Sequence, residues 1–143
     1  MIKERRIETI KMAAHKLGAC GMEKNISSYR GLARLLFSPR GSEFCTKHNF
    51  PTLQLLQKIK NEAVAYGVYT DVGNIHLSSR KNLCLAGNTS AFIKVSGTRH
   101  THTIILMHGA SATINASNYA VLKIINISGM DVKINKDKTV VVL

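Results

Sequence analysis

From Ile75 to Leu143 the apolar residues recur as i, i+2 pairs, the period of a strand whose side chains alternate between two faces. One series runs Ile75/Leu77, Ile93/Val95, Ala112/Ile114 and Val132/Ile134. A second is interleaved with it: Leu83/Leu85, Ile104/Leu106, Leu122/Ile124 and Val141/Leu143. Within either series the step is 18 to 21 residues and closes on 19. Short strands repeating at such a period are the mark of a solenoid, in which each coil gives one strand to each of two stacked parallel sheets. The pattern therefore predicts an α+β protein, a short single-stranded β-solenoid of about four coils behind a helical prefix.

An antiparallel β-sandwich with a helical prefix is the competing architecture, because it too is built from short strands punctuated by turns. Three details favour the solenoid. The pairs recur in the same order in both series, and small or polar corners separate them at Gly87-Asn88-Thr89-Ser90, Gly109-Ala110-Ser111, Ser117-Asn118 and Ser128-Gly129. No proline follows Pro51, so no strand is marked as an edge by a missing N–H.

Before the ladder the period changes to that of helices. Ile7, Ile10, Ala14 and Leu17, with Ala13 beside them, form one helical face that stops at Gly18 and Gly21. Ser27 or Ser28 can cap a second helix through Tyr29, Leu32, Leu35 and Leu36 that ends near Ser38-Pro39. A short helical turn over 43–48 follows. A third main helix over 53–66 starts after Pro51-Thr52 and ends at Gly67. The expected division is a helical cap over 1–67 and a β-solenoid over 68–143, packed as one structural unit. The helices are expected to cover the apolar cross-section of the first coil, as solenoid ends require. At the other end, Val140, Val141, Val142 and Leu143 present an apolar strand edge that invites pairing with a second copy.

Charge adds a partner class. The chain carries 20 Lys and Arg against 8 Asp and Glu, a formal net charge of +12. Residues 1–71 hold 12 basic and 6 acidic side chains, whereas 72–143 hold 8 basic side chains and only Asp131 and Asp137. Such a field draws nucleic acid or an acidic protein surface. The candidate contacts are Lys3, Arg5, Arg6 and Lys11 on the first helix and Arg80, Lys81 and Arg99 in the ladder. No run of apolar residues reaches the roughly 20 that a membrane span needs. The charged start, Met1 to Arg6, is not an apolar signal core, so a cytoplasmic location and no membrane partner are expected.

Catalytic chemistry has little raw material. No GxSxG, Walker A, GxGxxG or HExxH string occurs, and the ladder is too poor in acids for a carboxylate pair. The protein is read as not an enzyme, with no cofactor. Cys20, Cys45 and Cys84 lack the close spacing of a zinc site and are expected to pack as reduced, buried thiols. His100-Thr101-His102, with His108 nearby, is the one weak metal candidate, since a strand would put the first two imidazoles on one face. Phe92 and Tyr119 are too few to make a base-stacking surface and are expected in core or corner packing. Asparagines near strand ends, among them Asn115, Asn118 and Asn135, suit tight corners and amide ladders.

Four stretches also carry a resemblance. Phe44-Cys45, followed by Asn49-Phe50-Pro51-Thr52-Leu53, resembles the Phe-Cys and Asn-Phe-Pro segment of a group of short bacterial proteins from gut anaerobes and their mobile elements. Gly87-Asn88-Thr89-Ser90-Ala91, Leu106-Met107-His108-Gly109-Ala110 and Ala116-Ser117-Asn118-Tyr119-Ala120-Val121 are similar to later stretches of the same group. The resemblance runs from about Ser42 onward and implies the same helix-then-coil architecture. It implies no activity and no catalytic residue. Together these features lead to three expectations: first, a non-enzymatic interaction module that self-associates through the last coil; second, a basic nucleic-acid-binding accessory protein; third, a metal or small-ligand binder using the ladder histidines.

Overall fold

The ladder folds as two parallel sheets that take alternate strands of the chain. In the computed structural model, which describes residues 2–19, 21, 26–78, 80–97 and 99–143 with side chains from Arg5 onward, helices α1–α5 precede strands β1–β9. The strands are β1 (Val68–Thr70), β2 (Gly73–Ser78), β3 (Asn82–Ala86), β4 (Thr89–Ser96), β5 (Thr101–Met107), β6 (Ser111–Ser117), β7 (Val121–Ile127), β8 (Val132–Lys136) and β9 (Val141–Val142). One sheet has the order β1-β3-β5-β7-β9 and the other β2-β4-β6-β8. Every pairing is parallel, so the antiparallel sandwich is excluded. The chain divides into two compact units, Met1–Tyr66 and Gly67–Leu143.

The four-stranded sheet alternates cleanly. In β4 the residues Ala91, Ile93 and Val95 are buried while Ser90, Phe92, Lys94 and Ser96 are exposed. Ala112, Ile114 and Ala116 continue the buried face in β6. In the other sheet, β3 from Leu83 to Ala86 and β5 from Ile104 to Met107 are buried on both faces. Their unbroken apolar runs, Leu-Cys-Leu-Ala and Ile-Ile-Leu-Met, are what a strand covered on both sides needs.

The register differs from the expected pairing in four places. Ile75 pairs with Ala91 and Leu77 with Ile93, a step of 16, where Ile75/Leu77 was expected beside Ile93/Val95. The first full coil is short because β3 has only five residues and a two-residue corner, Gly87-Asn88, follows it. Ile93 pairs with Ile114, and Ile104 with Ile124, each two residues from the expected partner. Slips of two keep every side chain on its face. The last slip is of one residue: Leu122 pairs with Val142, not Val141. An odd slip exchanges the faces, so Val140 is buried and Val141 is 51% exposed. Ala112↔Val132 and Leu83↔Ile104 pair as expected.

The helical unit starts with α1 (Ile2–Lys16), which buries Ile7, Ile10 and Ala14. Ser28 caps α2 (Tyr29–Phe37) by accepting from the Gly31 N–H at 3.0 Å. Ser38 is not a helix end followed by a gap, as expected, but a direct joint to α3 (Pro39–His48). Its hydroxyl donates to the Leu35 carbonyl and accepts from the Gly41 N–H, and Pro39 opens the new helix. Thr52 caps α4 (Leu53–Lys58) through the Leu55 N–H. The expected third helix is broken at Ile59, after which α5 (Lys60–Ala63) and a 3-10 turn over Val64–Tyr66 complete the unit.

The α2–α3 joint sets a sharp test. Within a helix, glycine to alanine normally adds up to about 1 kcal/mol of stability. A methyl group on Gly41 would instead overlap the Leu35 carbonyl oxygen at the end of α2. Gly41→Ala is expected to lower stability by more than about 1 kcal/mol, read as a lower urea midpoint; an unchanged or raised midpoint would show the joint to be looser than described.

Candidate functional site

Winding one strand into each sheet per coil gathers the corners into two edges. On one edge lie the connections β2–β3, β4–β5, β6–β7 and β8–β9; on the other lie β1–β2, β3–β4, β5–β6 and β7–β8. The basic side chains of this unit fall mainly on the first. Arg80 and Lys81 occupy its first corner, Arg99 and His100 the second, and Lys138 the fourth, all exposed. Lys94 and Lys136 stand near the ends of strands running into this edge, and Lys123 near the start of one leaving it. The opposite edge carries Asp71, Asn88, His108 and Asp131 instead. Neighbouring strands lie about 4.8 Å apart, so the corners from Arg80 to Lys138 extend over roughly 14 Å, three such steps.

Hydrogen bonds between successive corners fix both edges. Asp71 Oδ1 accepts from the Asn88 N–H at 2.7 Å. On the basic edge the Tyr119 N–H donates to Thr139 Oγ1 at 2.8 Å, and the Thr139 hydroxyl and N–H both donate to Asp137 Oδ1. Those Thr139 bonds hold the Asp137 carboxyl below the usual carboxylate value. The one acid on this edge is thereby tied into its own corner.

The outer face of the four-stranded sheet adjoins the basic edge. His76 and Phe92 are partners in adjacent strands, and their rings stack with centroids 5.3 Å apart and planes 12° from parallel. Phe92 is 52% exposed. It is followed in the column by Thr113 and Lys133. Asn135 Nδ2 donates to Asn115 Oδ1 at 2.8 Å, an amide rung on the exposed face. No Asp or Glu occurs in β2, β4, β6 or β8. Of the two aromatics expected in core or corner packing, Tyr119 stands at a corner, 61% exposed in a left-handed conformation with φ 62°, whereas Phe92 is corrected to the outer face of the sheet.

Of the basic residues singled out from sequence, Arg80, Lys81 and Arg99 come together on the edge. Those of α1 do not form a comparable set. Arg6 pairs with Glu62 at 3.0 Å and donates to the Lys58 carbonyl; Lys11 pairs with Glu8 at 3.1 Å and donates to the Ile26 carbonyl. Arg5 is exposed, and the side chain of Lys3 lies outside the described residues, as does Cys20. The His76–Phe92 pair was missed because a step near 19 sets His76 beside Lys94, whereas the short first coil sets it beside Phe92.

The histidines do not converge. His102 is buried and its Nδ1–H donates to the Arg80 carbonyl at 2.9 Å, so it serves the corner. His100 lies before β5, exposed, with its ring 6.2 Å from that of His102 and at 79° to it. His108 follows the far end of β5, six residues beyond His102 and therefore about 20 Å along the strand. Among the described residues no three His, Cys, Asp or Glu side chains form a group that could hold a metal ion. Cys45 and Cys84 are buried thiols, and burial pushes the Cys45 thiol up to about 12. No helix among the described residues is long and apolar enough to cross a membrane.

No family model matches the chain, and neither does any curated protein or solved structure.

A thiolate is the reactive form of cysteine, so Cys45 is expected to stay unmodified when the folded protein is treated with a thiol reagent at pH 8. Peptide mapping should show labelling only after unfolding; rapid labelling in the native state would overturn the buried assignment.

Proposed function

We propose that the protein is a non-catalytic interaction module that binds a polyanion, nucleic acid foremost, along the basic edge of its solenoid. The observation that carries this reading is the segregation of charge: Arg80, Lys81, Arg99 and Lys138 line one edge while Asp71 and Asp131 lie on the other. Rigid sheets hold these cations at fixed spacing, and a phosphate backbone meeting them releases its counterions. Binding to a labelled oligonucleotide is expected to weaken linearly in log salt. The triple variant Arg80→Ala, Lys81→Ala, Arg99→Ala should reduce the slope by about 2 to 3, at roughly 0.7–0.9 per lost phosphate contact. Absence of binding at low salt, or a slope untouched by the triple variant, would refute the edge assignment.

A second reading, self-association, is favoured by one feature of the last rung. Val141, Val142 and Leu143 are 51%, 38% and 69% exposed beside the unpaired edge of β9, and an apolar strand edge left open is a template for another strand. Light scattering should then give more than the 15.7 kDa monomer, and Val141→Lys should return the monomer. A monomer at all concentrations removes this reading and leaves the polyanion edge standing.

A further inference from the structure

We infer that the polyanion is single-stranded nucleic acid, one of whose bases stacks on the exposed His76–Phe92 column. This rests on the polyanion reading and adds which form of polyanion the adjoining face accepts. In a parallel sheet, residues in register project side by side at the strand spacing, about 4.8 Å. His76 and Phe92 use that spacing to lay two rings nearly parallel. The column then continues with Thr113, which has no ring, and with Lys133 one strand further. The stack therefore stops at Phe92, and its next place is held by a short hydroxyl side chain. A nucleobase, about 3.4 Å thick as its stacking rise shows, fits over Thr113 between Phe92 and Lys133, whose strands are two spacings or about 9.6 Å apart.

The surrounding charge gives the direction of the strand. Lys94 lies two residues beyond Phe92 in β4 on the same face, toward the basic edge, a displacement of about 6.6 Å. A backbone whose base sits over Thr113 can thus pass Lys94 and reach Arg99 at the corner. Stacking on an aromatic ring works for every base, because each has a π-face. A duplex keeps its bases inside and offers only groove edges and phosphates. A sulfated polysaccharide supplies the charge but no planar ring. Both would use the edge without the column.

The test compares a short labelled oligothymidylate, the corresponding duplex and heparin on the full chain. Phe92→Ala and Phe92→Leu, at an exposed position, are expected to weaken binding of the single strand by roughly five- to a hundredfold and to leave duplex and heparin binding unchanged. The chain has no tryptophan, so Phe92→Trp places a single reporter at the column. Its emission should be quenched by the oligothymidylate and not by heparin. Wild-type affinity of Phe92→Ala for the single strand, tighter binding of duplex than of single strand, or equal quenching by heparin would each overturn this inference and leave the basic edge intact. Failure of the wild type to bind any of the three would remove the polyanion reading itself.

Discussion

The rest of the β unit depends on one constraint, the parallel hydrogen-bonded register between coils. Backbone N–H and C=O groups must be paired where water is excluded, and in a parallel ladder that pairing locks each residue beside one residue of the coil before and one of the coil after. Ile93 therefore stacks between Leu77 and Ile114, and Ile114 between Ile93 and Ile134. The same rule acts on the solvent side, where it sets which side chains meet: His76 beside Phe92, Phe92 beside Thr113, Asn115 beside Asn135.

Register also explains why the charge is concentrated. Strands must remain apolar on their inward face, which leaves corners and alternate outward positions for lysine and arginine. Because successive corners stack, cations 20 or so residues apart in sequence become neighbours, as Arg80 and Arg99 do. Like charges at that spacing repel, and the fold tolerates the repulsion because the sheets, held by buried residues such as Leu83, Ile104 and Leu122, do not rely on the edge. A rigid row of cations is a surface suited to a polyanion.

The helical unit handles charge differently. Arg6 and Lys11 are spent on Glu62, Glu8 and backbone carbonyls, so the same residue types that line the solenoid edge serve local structure in α1. Residue type and net charge cannot separate these roles, because the difference lies in where the fold places each side chain. Cys45 makes the same point for nucleophiles, since burial alone takes it out of the reactive range.

Much of the architecture was legible in the sequence. The alternation of Ile75/Leu77 and its successors determined strands, the repetition in two interleaved series determined parallel coils, and Ser28 and Thr52 marked helix starts through chemistry that acts within a few residues. The columns were not legible. A slip of two residues leaves every apolar side chain on its own face, so the hydrophobic pattern is blind to it, and only the lengths of β3 and its corner, set by packing and pairing in the folded chain, put His76 against Phe92. The slip of one at Val141 was hidden for a related reason: four apolar residues in a row, Val140 to Leu143, carry no alternation to read. Periodicity thus determined what kind of surface this protein builds, and tertiary hydrogen bonding alone decided which side chains stand together on it.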